Sequence, residues 1–135
     1  MRTKLLVIVA AVGLVLAAVP VLAHHAFAAE FDQNKPIKVQ GAVTKWELTN
    51  PHSWIYMDVK GEDGKMTTWM IEGASPNNLY RLGLTKESLP AGSEITVEGY
   101  QAKDGSTRAV GRNITFANGK KFFLGLTEAE GAPKQ

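Results

Sequence analysis

The sequence contains no cysteine. That excludes disulfides, thiolate metal sites, thiol nucleophiles and the lipid-modified cysteine that would follow a lipoprotein leader. Gly-x-Ser-x-Gly, His-Glu-x-x-His and phosphate-loop patterns are missing too, so no hydrolytic or nucleotide-handling signature is present. The carboxylates Glu47, Asp58, Glu72 and Asp104 are scattered without readable pairing. An excess of one charge is also missing once the chain is divided. Of the 15 Lys and Arg, Arg2 and Lys4 lie in the first four residues, so residues 24–135 balance thirteen cations against 13 Asp and Glu. A neutral domain gives no electrostatic case for binding nucleic acid or an anionic membrane surface. Histidine is scarce as well, with three residues at positions 24, 25 and 52.

Against these absences stands one long apolar run. Arg2 and Lys4 precede Leu5 to Ala18, Pro20 interrupts, and Val21-Leu22-Ala23 places small or β-branched residues at the −3 and −1 positions of a cleavage site. The run falls short of the roughly 20 residues that span a bilayer. Residues 1–23 therefore read as a secretory signal, with a retained anchor as the alternative. Cleavage after Ala26 or Ala29 would put His24 or Phe27 at −3, which fits worse. The expected product begins at His24, is periplasmic or secreted, and keeps no stable membrane anchor after cleavage. It has 112 of the 135 residues, enough for one modest domain whose stability must come from its core.

Residues 24–36 read as an N-terminal segment, with Phe27 and Phe31 one helical turn apart, expected to fray or to lay two rings on the domain. The domain spans 37–125. Ile37, Val39, Gly41 and Val43 share one parity but Trp46 and Leu48 the other, so the first strand is expected to bulge or bend near Gly41. Asn50-Pro51 ends it. Ser53 to Lys60 alternates, with Ile55, Met57 and Val59 on one face and Trp54, Tyr56 and Asp58 on the other. Gly61 to Gly64 turns the chain into Met66 to Gly73. Ser75-Pro76 and Gly83 bracket a short helix with Leu79 and Leu82 as its buried edge, and Thr85 to Leu89 reads as a further single turn. Glu94 to Tyr100 and Arg108 to Phe116 are strands flanking a Lys103-Asp104-Gly105-Ser106 turn, and Asn118-Gly119 returns Lys121 to Leu124 as a hairpin strand. Residues 126–135 read as a flexible tail. The class is all-β with one short helix. A helix between the third and fourth strands predicts an OB-fold-like five-stranded barrel plus a C-terminal hairpin strand, with another small barrel or a β-sandwich as alternatives.

Two sets of residues carry candidate chemistry. After cleavage His24 would hold a free α-amine beside its own imidazole, and both lose a proton readily near neutrality. With His25 or His52 these nitrogens form a set that favours Cu(II) among first-row divalent ions. The competing reading leaves His24 and His25 incidental and His52 satisfying backbone groups in its turn. Met57, Met66 and Met70 are potential thioether ligands for Cu(I), or simply core. The second set follows from the fold. Trp54 and Tyr56 on the second strand, with Lys103 and Arg108 from the loop after the fourth, would line the usual ligand face of such a barrel. The alternative is that the Phe27–Phe31 segment covers those rings.

His24-His25-Ala26-Phe27, Gly41-x-Val43, Asn50-Pro51-His52-Ser53-Trp54, Glu72-Gly73-x-Ser75-Pro76-Asn77 and Val97-Glu98-Gly99-Tyr100 with Lys103-Asp104-Gly105-Ser106 resemble an uncharacterised family of small exported proteobacterial proteins, a domain of unknown function. The resemblance covers most of His24 to Gly125 and implies a shared exported domain, without assigning an activity or ligand. The preferred expectation is a periplasmic binding domain, not an enzyme, holding copper through His24, His25 and His52. A metal-free module for a small ligand or a periplasmic protein, using Trp54, Tyr56, Lys103 and Arg108, is the second reading. A small copper redox enzyme is the third.

Overall fold

The computed structural model describes residues 29–125. They are mostly β-sheet, with one complete short α-helix. The strands are β1 (Phe31–Leu48), β2 (Ser53–Lys60), β3 (Met66–Gly73), β4 (Glu94–Ala102), β5 (Arg108–Phe116) and β6 (Lys121–Phe123), and helix α1 (Pro76–Arg81) lies between β3 and β4. The sheet order is β3-β2-β1-β4-β5-β6. A further parallel pairing of β3 with β5, Met70 to Glu72 against Arg108 to Val110, closes the first five strands into a ring.

β1 makes the ring possible because it serves two neighbours. Its residues Pro36 to Ala42 pair with β4, and Gly41 to Leu48 pair with β2. Gly41 and Ala42 are shared by both ladders where they cross. A Cβ at Gly41 would collide with the Asp58 carbonyl, lying 2.9 Å from its carbon, so only glycine lets β2 approach this closely. The bulge expected near Gly41 falls slightly later, as a register shift between Val43 and Lys45. It turns both Val43 and Trp46 inward despite their opposite parity.

The core is built from inward residues of all five ring strands, among them Val43, Ile55, Met57, Ile71, Ile95, Val97 and Ile114. Leu79 from α1 and Leu84 and Leu89 from the following loop join it. The expected inner edge of the helix is corrected here: Leu82 is exposed and Leu84 is buried in its stead. The helix ends at Arg81, and Gly83, at φ +83°, reverses the chain so that Leu84 and not Leu82 returns to the core. Ser75 precedes the helix without capping it through its side chain. The single turn after it is a 3-10 turn at Lys86–Ser88.

The first strand begins at Phe31, six residues before the Ile37 start that alternation indicates. Phe31 pairs with Ala102, and its ring is buried with Ala102 and Val110 in a second, smaller cluster that Tyr100 flanks. The Lys103 N–H donates to the Glu30 carbonyl at 3.0 Å, fixing the chain just before it. The Asp32 to Lys35 stretch between these anchors is largely exposed, which is why its sequence looks like a loop.

Candidate functional site

Strand register brings together a group of side chains on the face of β2 and β3 that points away from the core. Trp54 lies directly opposite Glu72, and Ser53 opposite Gly73. His52, one residue before β2 in the loop after β1, shares the parity of Trp54. The loop contains the cis Asn50-Pro51 bond and is closed by the Thr49 hydroxyl, which donates to the His52 carbonyl at 3.2 Å. Parallel pairing of β3 with β5 places Arg108 opposite Met70, two residues along the same face from Glu72.

Within this group His52 Nδ1 is paired with Glu72 Oε1. Arg108 Nη2 reaches Glu30 Oε2 at 2.6 Å and lies 3.8 Å from Glu72 Oε2. The Arg108 guanidinium also sits 5.5 Å from the ring centroids of both Phe31 and Trp54. Glu30, Arg108, Glu72 and His52 thus form a continuous relay from the beginning of β1 to the loop after it. The Glu72 side chain is only 7% exposed, whereas His52 retains 27% of its surface. Burial pushes the Glu72 carboxyl above the usual carboxylate range, outweighing the opposite pull of His52 and Arg108. Among the described residues, Ser53 Oγ, Glu72 Oε2 and Arg108 Nε are buried without a hydrogen-bond partner.

The candidates from sequence distribute as follows. His52, Trp54 and Arg108 converge. Tyr56 is on the same face further along β2, opposite Met70, and carries Lys45 Nζ over its ring at 5.5 Å. Lys103 is exposed in the turn after β4 and joins the group only through its backbone. His24, His25 and Phe27 lie outside the described residues. Of the segment expected to cover the aromatic face, Phe31 is described, and it reaches Trp54 through the intervening Arg108. Met57 is fully buried and Met66 exposed on strands that separate them from His52 by several residues. Among the described residues no group of three His, Cys, Asp or Glu is arranged to hold a metal ion.

Two members of the group, Glu72 and Glu30, were not legible as such. Glu72 reads as one of several scattered carboxylates, and its pairing becomes visible only with the β2–β3 register. Glu30 and Phe31 fall before the first alternating run. Elsewhere, an open groove of about 720 Å³ lies along β1, β4, β5 and β6, between Lys38, Glu98, Tyr100, Arg112 and Phe123. None of its lining residues belongs to the His52 group.

The family of unknown function DUF6152 matches residues 11–112. The chain belongs to DUF6152. The match contains every candidate residue named above, from His24 to Arg108, and stops before β6. No curated protein matches the chain.

Proposed function

We propose that this DUF6152 member is an exported, non-enzymatic binding domain on an OB-like barrel, and that it holds Cu(II) between its mature N-terminal histidine and His52. The observation that carries the reading is the relay from Glu30 to His52. Glu30 is five residues after His25; with Ala29 and Glu30 helical, the stretch reaches at most about 13 Å. The links joining Glu30 to His52 through Arg108 and Glu72 are each of hydrogen-bond or ion-pair size. On this reading a terminus at His24 lies within reach of the His52 ring.

Four further features support it. With Nδ1 directed at a buried carboxylate, His52 keeps Nε2 as its free donor atom, the arrangement by which carboxylates orient metal-bound imidazoles. Two carboxylates facing one guanidinium leave a net negative group when His52 is neutral, the form that ligates a cation. The aromatic faces proposed for a metal-free ligand are already partly covered, Trp54 by Arg108 and Tyr56 by Lys45. The five-strand ring with a helix between β3 and β4, and a site beside the β1–β2 loop, suits the ligand face of an OB-like barrel. His24 would supply its amine and imidazole, and His25 a further imidazole.

The test compares protein beginning at His24 with protein carrying one extra alanine before it, each titrated with Cu(II) against a competing chelator. One tightly held ion per chain is expected for the first, and a loss of at least tenfold in affinity for the second. Equal affinity of the two forms contradicts the proposal.

A further inference from the structure

The open groove along β1, β4, β5 and β6 is built around an irregularity in β5. Glu98 pairs with Asn113 but Gly99 pairs with Gly111, so Arg112 is an extra residue on that strand. A bulge of this kind re-aims a side chain. Arg112 and Asn113, which regular alternation would send to opposite faces, both line the groove. The end of β6 pins the bulge, because the N–H groups of Leu124 and Gly125 both donate to the Arg112 carbonyl, at 2.9 and 3.1 Å. The register also places Asn113 opposite Phe123 on one side and opposite Glu98 on the other, with Lys38 opposite Glu98 in turn. Four strands thus carry the row Lys38, Glu98, Asn113 and Phe123, with Tyr100 and Arg112 beside it.

Two cations and one anion line this groove, and the cations are not equivalent. Lys38 Nζ lies 3.5 Å from Glu98 Oε1, so that pair is neutral together. Among the described residues no carboxylate lies within ion-pair distance of the half-buried Arg112. Its side chain makes one hydrogen bond among them, from Nη1 to the Tyr100 hydroxyl at 3.2 Å. That bond steadies the guanidinium and leaves the Nε–Nη2 edge, whose two parallel donors match a carboxylate. Phe123 is exposed although it lines the groove, and the half-buried Tyr100 lines it too, so two aromatic rings border the same space.

We propose that this groove binds a small planar organic carboxylate, its carboxylate paired with Arg112 and its apolar body set against Phe123 and Tyr100. One uncompensated guanidinium selects a monoanion. The rings select a flat apolar body over a small inorganic anion. Asn113 offers an amide donor and acceptor to a polar substituent on that body. The volume, about 720 Å³, is that of a small-molecule site. The groove shares no residue with the His52 group, so the proposal stands or falls separately from copper binding.

The experiment adds benzoate to isotope-labelled protein beginning at His24 and follows backbone amide NMR shifts. The amides of Glu98, Gly99, Tyr100, Arg112, Asn113 and Phe123 are expected to move and saturate, with a Kd of about 1 mM for a ligand of this size. Acetate lacks the ring and benzamide lacks the charge, so each should bind about tenfold more weakly or worse. Arg112→Gln and Arg112→Lys should each lose about tenfold, the second because an ammonium keeps the charge without the fork. Phe123→Ala, at an exposed position, should lose about fivefold, and it keeps the test decisive if an Arg112 variant fails to fold. His52→Ala should bind benzoate as the unaltered protein does. The proposal is overturned by the absence of saturable shifts at these amides, by equal affinity for benzamide or acetate, or by wild-type affinity in any folded Arg112 or Phe123 variant. Loss of benzoate binding in His52→Ala overturns it as well.

Discussion

At the residue scale, His52 is defined by its partner. An imidazole in a turn is ordinary. One whose Nδ1 is directed at a buried carboxylate has a fixed ring orientation and a single outward nitrogen. Burial raises the proton affinity of Glu72, and that carboxyl lies among His52, Arg108 and Glu30, so no one pair accounts for its charge. Glu72→Gln keeps an oxygen that can accept from His52 but removes the negative charge. We expect it to weaken Cu(II) binding about 10- to 100-fold, the usual effect of losing an outer-shell partner. Its unfolding free energy should change by only about 1 kcal/mol, the difference between a charged and a neutral hydrogen bond. Chelator competition and urea unfolding on the same protein check the two halves of that statement. His52 was legible from the rarity of histidine and its place beside Pro51. Glu72 was not, because alternation along β3 assigns it to the outer face, and its partners His52 and Arg108 lie far away in sequence.

At the scale of elements, the turn residues did most of the work. Pro51, the Gly61–Gly64 turn and the flanking glycines place the limits of β2 and β3 where the structure has them, and β5 also begins and ends as its alternation indicates. Local chemistry decides those boundaries. The start of β1 is different. Asp32 to Lys35 are polar and exposed, and Pro36 follows, so nothing local marks a strand. Phe31 is drawn in by a tertiary cluster with Ala102 and Val110. Leu82 fails for a related reason, since the chain reversal at Gly83 rather than helical spacing selects which leucine is buried. The bend in β1 was legible as a change of parity, which the register shift between Val43 and Lys45 produces, and β2 approaches β1 closely at Gly41. Gly41→Ala would press a methyl group into the Asp58 backbone, which has no rotamer with which to yield. A loss of about 3 kcal/mol is expected, at the upper end of overpacking effects. Chemical denaturation measures it, and a change under 1 kcal/mol would show that β1 can shift away from β2.

For the molecule as a whole, the ring of five strands and the choice of a β-rich class were within reach of the sequence, because strand order and helix position follow from punctuation along the chain. The particular pairing that closes it was not, since β3 and β5 join in parallel residues nearly forty positions apart. That same closure brings Arg108 to Glu72 and links the beginning of the domain to the loop carrying His52. In the sequence the N-terminal histidines precede Glu30 by six and five positions. On this account a neutral domain without cysteine concentrates its few nitrogen donors at one point of the ring. The most direct test is Cu(II) EPR on protein beginning at His24, compared with its His52→Ala variant. The account predicts a nitrogen-coordinated spectrum at one copper per chain that loses nitrogen coupling in the variant. Identical spectra from the two proteins would contradict it.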